Sequence, residues 1–583
     1  MGVERDRRSG FGERAIIGTF RMTRTVRLRP WQRAALDKLA AHPSPDFLAV
    51  ATPGAGKTTF ALAAAALALR ADPHRRIVVC APTAHLKLQW AQAAARFGLH
   101  LDPRWSSSSG RLPADMHGII TTYQQVATSA KALRALTANA FVILDEIHHA
   151  ADDRAWGDSV RVAFEPAANR LCLSGTPFRS DTSAIPFIRY RIDEAESDFE
   201  YGYSDALRDG SVVRPVYFPR INGYMEWVAP DGTLNAASFE DALDRTGSSQ
   251  RLRTALSPQG EWIGPVLEQA HAQLLVLRQR QANAAGLVVA TDQDHARSIA
   301  DLMRNRLGIT PTIATSDDPV ASDRIARFAA SDQPWIIAVR MVSEGVDIPR
   351  LAIGVYATTT TTELFFRQAV GRLVRWTRGA GRQKAYLFIP DDPRLRTWAF
   401  QIADARRHSL RKRAEDVANA LDGEFPDEPT ACDAQVHPED EASEQLSLFA
   451  ALSATIADGP HPVSSVFDDQ FDEVGDFADE DEEMALDEHL LLPLGDLIPP
   501  CGDAPIRSRA EIKEEIRMRN ADAARELVRF TALTHAQVNA ELNRRIGLRR
   551  ITEATLQQLE RRADAADTWL TDLRRIKIRS GRH

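Results

Sequence analysis

The chain holds 583 residues, 44% of them hydrophobic, with 72 Lys+Arg against 79 Asp+Glu and four cysteines, enough chain for at least two full cores. Its longest apolar stretch, Phe60–Leu69, is far short of the roughly 20 residues that span a bilayer, so a cytoplasmic protein with no membrane partner is expected. The net charge of −7 hides a segregation: residues 1–420 carry +10, residues 421–500 hold 23 Asp/Glu with no Lys or Arg, and residues 501–583 carry +6, a pattern that suits a phosphate-rich partner.

After a basic N-terminal tail (1–27), short Val/Ile-rich runs alternate with Ala/Leu/Arg-rich helical stretches to about residue 395. Strands are predicted over Phe47–Ala51, Ile77–Cys80, Gly118–Thr121, Phe141–Leu144 and Leu171–Ser174, then over Gly286–Ala290, Trp335–Val339, Leu351–Tyr356 and Ala385–Ile389. Buried strands joined by crossover helices imply parallel α/β sheets. A poorly patterned region between the groups divides them into two lobes, 28–200 and 201–395. A basic helical extension (396–420) follows, with Arg406, Arg407, Arg411, Lys412 and Arg413. Residues 421–505 are acidic and aperiodic and read as a disordered tether. Residues 506–583 regain helical periodicity and form a small helical module. Cys80, Cys172, Cys432 and Cys501 are scattered with no CxxC pair, so no structural zinc or iron–sulfur cluster is expected.

The segment Ala51-Thr52-Pro53-Gly54-Ala55-Gly56-Lys57-Thr58-Thr59 lies between a predicted strand and an Ala-rich helix. There, Gly54 and Gly56 permit a tight loop whose N–H groups cradle phosphates, and the helix N-terminus adds its dipole. Lys57 would reach the β- and γ-phosphates of ATP, and Thr58 would ligate Mg2+. The pattern departs from its usual form in having Ala51 at the first glycine position. Phe141–Leu144 ends in Asp145-Glu146-Ile147-His148, which puts two carboxylates at the C-terminal edge of the sheet. Asp145 is placed to hold the magnesium, and Glu146 to orient and deprotonate the attacking water.

Seven stretches in order, from LRPWQ (28–32) and VVCAPTAHLKLQW (78–90) to FFRQAVGRLVR (365–375), make the chain resemble the superfamily 2 DEAD/DEAH-box-like helicases and translocases. The other matching stretches are GIITTYQQ (118–125), LSGTPFRS (173–180), VVATDQDHA (288–296) and VRMVSEGVDIP (339–349), beside the phosphate loop and DEIH. The resemblance implies two tandem RecA-like lobes with ATP between them. It makes Gln32 the base contact, adds Gly345 and Asp347 to the nucleotide site, and places His148, Ser174 and Thr176 where hydrolysis couples to strand contacts. Thr360-Thr361-Thr362-Glu363 reads as a capping box, and Gln368, Arg372 and Arg375 are spaced i, i+4, i+7 for one helix face. The two arginines would act as arginine fingers, with Gln368 helping to position the water. APTAHLKLQW without a PTRELA-type string, and SGTP in place of SAT, look more like the DNA-directed branch of restriction-enzyme motors and repair translocases, so DNA is favoured over RNA.

Within the acidic segment, Gln445-Leu446-Ser447-Leu448-Phe449 resembles the pentapeptide by which bacterial repair proteins bind the sliding clamp. The terminal module carries paired arginines, among them Arg544, Arg545, Arg549, Arg550, Arg561 and Arg562, read equally as a solvated face or as phosphate contacts. Together these imply an ATP-dependent DNA helicase or translocase in replication-linked repair. The alternatives are the motor subunit of a restriction or phage-defence system, an RNA helicase, and an ATP-gated recruitment protein with little turnover.

Overall fold

The computed structural model describes residues 25–109, 111–151, 154–175, 185–191, 194–210, 212–315, 321–339, 348–377, 383–422, 450–455, 491–493 and 507–580. The first sheet is wholly parallel. Its strands are β1 (Asp46–Ala51), β2 (Ile77–Ala81), β3 (Leu101–Asp102), β4 (Gly118–Thr122), β5 (Phe141–Leu144), β6 (Asn169–Ser174) and β7 (Phe199–Tyr201), ordered β7-β1-β6-β5-β2-β4-β3. Period-two alternation divides their side chains between two cores. Ile77, Val79, Ile120, Ile143 and Leu171 face one way with Phe60 and Trp90; Val78, Cys80, Ile119, Val142 and Leu144 face the other with Tyr123 and Val160.

Helices α1 (Pro30–Ala40), α2 (Lys57–Ala71), α3 (Ala84–Arg96) and α4 (Tyr123–Thr137) cover this sheet. The alanines of α2 explain its close approach: Ala61, Ala63, Ala64, Ala65 and Ala66 are all buried, and small side chains lose little entropy when packed.

The second sheet holds β8 (Val216–Tyr217), β9 (Ala285–Ala290), β10 (Thr312–Ala314), β11 (Trp335–Val339), β12 (Leu351–Ala357) and β13 (Ala385–Pro390) in the order β8-β13-β12-β9-β11-β10, again parallel. A further strand, Arg220–Ile221, also pairs with β13. The fold class is therefore α/β with two parallel-sheet lobes. Helix α5 (Glu363–Leu373) follows β12, and α6 (Pro393–Asp422) extends well beyond the sheet.

One expectation for the middle of the chain changes. The hairpin Tyr224–Val228/Leu234–Ser238 takes a third, antiparallel strand from the acidic segment, Ala450–Thr455, and Leu491–Pro493 pairs with Thr25–Arg27. Part of the expected tether is thus strand, because edge strands supply unpaired backbone groups that an otherwise unpatterned segment can satisfy. Trp227 and Trp262 are both buried, donating to Gln250 Oε1 at 2.8 Å and to the Asn222 carbonyl at 3.1 Å. They anchor this insertion to the second lobe.

The terminal module is three helices, α7 (Arg509–Phe530), α8 (His535–Ile546) and α9 (Leu556–Ser580), around Ala524, Leu527, Val538, Leu542, Ala566 and Leu570. Arg562 is not on a basic face. It is 1% exposed and donates to Asn543, Asn520 and Asn539 at 2.9, 2.9 and 2.6 Å, so its charge is met by three amide oxygens.

The module is fastened to the first lobe through Asp115. Its Oδ1 accepts from Lys513 Nζ and its Oδ2 from the Leu556 N–H, both at 2.9 Å. Burial opposes that carboxylate's charge, but these donors hold its pKa below the usual range. Gln92 of α3 also donates to Glu511 at 2.8 Å. Among the described residues no helix is long and apolar enough to cross a membrane, and no group of three or more His, Cys, Asp or Glu could hold a metal ion.

Candidate active site

The loop between β1 and α2 is braced from outside. Arg29 Nη1 donates to the carbonyls of Gly54 (3.2 Å) and Ala55 (2.8 Å), Trp31 Nε1 to Ala55 (3.1 Å), and Gln32 Nε2 to Gly56 (3.0 Å). Holding three successive carbonyls to one side turns the peptide N–H groups to the other. Gly54 and Gly56 take φ of 85° and 95°, a region in which only glycine is unstrained. Helix α2 has no side-chain cap at its start, so its first N–H groups remain available to an anion. Gln32, expected at a base, is 2% exposed. Its Oε1 accepts from the Arg29 N–H at 2.8 Å, so one end of the amide braces the loop and the other holds Arg29, itself a brace.

Lys57 and Thr58 open α2, and across the cleft floor Lys57 Nζ donates to Glu146 Oε1 at 2.8 Å. Glu146 Oε2 accepts from the Gly175 N–H at 2.9 Å. The Glu146 backbone adopts φ 47°, a left-handed conformation uncommon outside glycine and characteristic of strained functional turns. Burial raises the cost of its charge, yet Lys57, His148 and the Gly175 N–H together hold its pKa below the usual carboxylate range. Asp145 is displaced the other way, upward, first by burial and then by the adjacent Glu146 charge. The two neighbouring carboxylates are thus shifted in opposite directions by their surroundings.

Asp145 is held by residues that local sequence does not single out. Trp90 Nε1 of α3 donates to its Oδ2 at 2.9 Å, and the Tyr123 hydroxyl at the start of α4 donates to its carbonyl at 2.9 Å. Both rings are buried.

The second lobe meets this site through α5. Gln368 Nε2 lies 3.3 Å from His148 Nε2. Ser174 Oγ lies 3.5 Å from His148 Nδ1, and that ring nitrogen is 3.7 Å from Glu146 Oε2. His148 therefore stands between the end of β6, the candidate base and the other lobe. A side chain at Gly371 would lie 2.5 Å from Pro53 of the phosphate loop, which explains glycine in that turn of α5. Arg372 lies in the last turn of α5, half-buried.

Arg375 is not on the helix as its spacing suggested. Helix α5 ends at Leu373, and Arg375 forms an isolated β-bridge with Val213. Its Cγ lies 3.5 Å from where a side chain at Gly54 would begin, so it still reaches the phosphate loop. Nor does a capping box start the helix: Thr362 is the cap and makes no side-chain cap bond.

Arg214, fully buried in the linker between the lobes, fixes this turn. Its N–H donates to the Val374 carbonyl at 2.7 Å, its Nε to the Arg375 carbonyl at 2.6 Å, and its Nη2 to the Pro349 carbonyl. Thr176, Gly345, Asp347 and Gln445, Leu446, Ser447, Leu448 and Phe449 lie outside the described residues.

A family model described as type III restriction enzyme, res subunit, matches residues 25–179. The match spans the phosphate loop, Asp145, Glu146 and Ser174. An uncharacterized protein of Mycobacterium tuberculosis is 39% identical over 569 residues, covering 92% of each chain. One of Mycobacterium leprae is 45% identical over 404 residues, covering 68% of this chain and 67% of that one. Among solved structures, a fragment assigned as the HsdR subunit of a type I restriction enzyme from Vibrio vulnificus is similar with a TM-score of 0.47 and 17% identity, covering 65% of this chain and 67% of that one.

Proposed function

We propose that this chain, which belongs to the same family as those mycobacterial proteins, is an ATP-driven motor on DNA, a helicase or translocase that couples hydrolysis to movement. The observation that carries the reading is the convergence on one cleft of Lys57, Asp145 and Glu146 from the first lobe with Gln368 and Arg375 from the second. In this reading the inward N–H groups of the loop bind the triphosphate, and Thr52 to Thr59 wrap it. Lys57 exchanges Glu146 for phosphate oxygen. Glu146, kept anionic, accepts the proton of the attacking water that Gln368 helps to orient, and Arg372 and Arg375 meet the charge that develops on the phosphate.

Magnesium suits the donor set: the Thr58 hydroxyl and the Asp145 carboxylate are hard oxygen ligands, and the ion would neutralise phosphate charge there. Gly345, Asp347 and Thr176 keep their proposed roles from sequence. His148 and Ser174 would transmit the state of the cleft to α3 and α4, whose stretches 78–90 and 118–125 resemble the motifs with which such helicases grip a nucleic-acid backbone.

Trp90→Phe keeps the ring and removes the donor from the buried Asp145 carboxylate. A hydrogen bond to a charged group contributes about 1.5–3 kcal/mol, so the magnesium concentration for half-maximal hydrolysis should rise at least about 10-fold. An unchanged magnesium titration would contradict the role given to Trp90.

Match to the restriction-enzyme family favours a second reading, the motor subunit of a restriction or phage-defence system. Isolation of the native protein decides between them: a co-purifying nuclease supports the second, and its absence with retained DNA-stimulated turnover supports the first.

The clamp reading of Gln445–Phe449 stands on sequence. A peptide spanning residues 438–456 is expected to bind purified bacterial sliding clamp, and Leu448→Ala/Phe449→Ala should abolish clamp binding by the full chain. No binding by the peptide and no change in the variant would remove the clamp from the account.

A further inference from the structure

Several arginines of the terminal module are neutralised by acids of the chain, while Arg529, Arg561 and Arg575 are exposed without an ion pair among the described residues, as are two in one turn. Arg519 pairs with Asp567, Arg525 with Asp522, Arg544 and Arg545 with Glu541, and Arg574 with Glu526. Arg549 and Arg550, in the turn between α8 and α9, are exposed and make no ion pair among the described residues. This turn lies against the first lobe, since Glu553 Oε1 accepts the Arg111 N–H at 3.4 Å and the Glu553 N–H donates to the Arg550 carbonyl at 3.1 Å. The Arg111 side chain is exposed and likewise without an ion pair among the described residues. Two parts of the chain distant in sequence thus bring three uncompensated guanidinium groups to one edge. Glu553 is the acid in the turn itself, and Asp115 nearby is already committed to Lys513 and the Leu556 N–H.

The edge continues into the first lobe's expected strand grip. Two residues before Arg111 in sequence there ends a serine-rich turn, closed by the Ser106 N–H on Ser109 Oγ at 3.0 Å. Just before it, the Trp105 carbonyl accepts Gln125 Nε2 at 2.7 Å. Gln125 lies in the first turn of α4, whose Thr122 cap accepts the Gln125 N–H at 3.2 Å, and Gln125 Oε1 accepts from Lys87 of α3 at 3.1 Å. A helix start, exposed hydroxyls and then unpaired arginines therefore follow one another along one margin. Each is a group that contacts nucleic-acid phosphate.

We propose that Arg111, Arg549 and Arg550 form a phosphate-contacting ridge by which the terminal module prolongs the nucleic-acid track of the first lobe. The proposal rests on the motor reading and adds a surface to it. The ridge binds the sugar–phosphate backbone, so it adds affinity and salt dependence and carries no base preference.

The test uses the full chain and two variants that remove equal charge. Arg111→Gln/Arg549→Gln/Arg550→Gln strips the ridge; Arg519→Gln/Arg525→Gln/Arg544→Gln strips arginines already neutralised within the module. Binding to a labelled DNA single strand is measured between about 50 and 200 mM salt. At roughly −0.7 in log–log slope per phosphate contact, the ridge variant should show a slope shallower by about 2 and affinity down roughly 10- to 100-fold near 0.1 M salt. The control variant should bind as the parent does, and hydrolysis without DNA should be equal in all three. Equal losses in both variants would reduce the effect to net charge and overturn the ridge, as would no loss in either. Tighter binding by the ridge variant would also overturn it, by making the acidic segment the occupant of the arginines. A parent chain that binds no nucleic acid would instead overturn the motor reading itself.

Discussion

Glu146→Gln is expected to bind ATP as tightly as the parent and to hydrolyse it at least about 10²- to 10⁴-fold more slowly, the range that a general base contributes. The substitution keeps the shape and an acceptor for the Gly175 N–H, so the turn around φ 47° survives. What it removes is the proton-accepting charge. In the parent that charge persists against burial because Lys57, His148 and the Gly175 N–H stabilise it. The amide also releases Lys57 from its ion pair, so nucleotide affinity should be unchanged or raised. Single-turnover hydrolysis beside equilibrium binding of a labelled nucleotide separates these effects. Normal turnover in this variant would take Glu146 out of the mechanism.

Arg372→Ala is the second large effect. The residue ends α5 beside Gly371, where the helix touches Pro53. In the proposed mechanism, truncating it removes the cation that meets the phosphate without altering that contact, which depends on the absence of a side chain at 371. ATP affinity should hold within about threefold while turnover falls roughly 10³-fold or more, the magnitude characteristic of arginine fingers. Arg372→Lys should recover little, because an ammonium lacks the planar fork that engages two phosphate oxygens. Restoration of full rate by lysine would reduce Arg372 to a source of positive potential.

The strands that form the two sheets were legible because their runs are buried over their whole length: β2, β5, β11 and β12 carry no exposed residue. Those the sequence does not show, Leu101–Asp102, Phe199–Tyr201, Val216–Tyr217, Arg220–Ile221 and Thr312–Ala314, have two or three residues, too few for a period to register. The phosphate loop and the Asp145–Glu146 turn were legible for another reason, that their chemistry lies in contiguous residues.

The bracing of the site was hidden because it is made across the chain. Trp90 meets Asp145 and Arg214 meets Arg375 at separations of 55 and 161 residues, and neither donor differs locally from an ordinary core tryptophan or surface arginine. Arg375 seemed helical because spacing says nothing of where a tertiary bridge, here with Val213, ends a helix. Arg562 is hidden in the sequence, where it reads like its neighbour Arg561 as solvent-facing or phosphate-contacting, because the asparagines that receive it lie on α7 and α8.

The central claim, an ATP-driven motor on DNA, is tested most directly by steady-state ATP hydrolysis without nucleic acid and with single-stranded, duplex and forked DNA and with RNA, using Glu146→Gln as the blank. Strong stimulation by DNA over RNA is the predicted result, and the preferred form of DNA would distinguish strand separation from movement on duplex. Preference for RNA would contradict the choice of substrate, and turnover unmoved by any nucleic acid would contradict the motor.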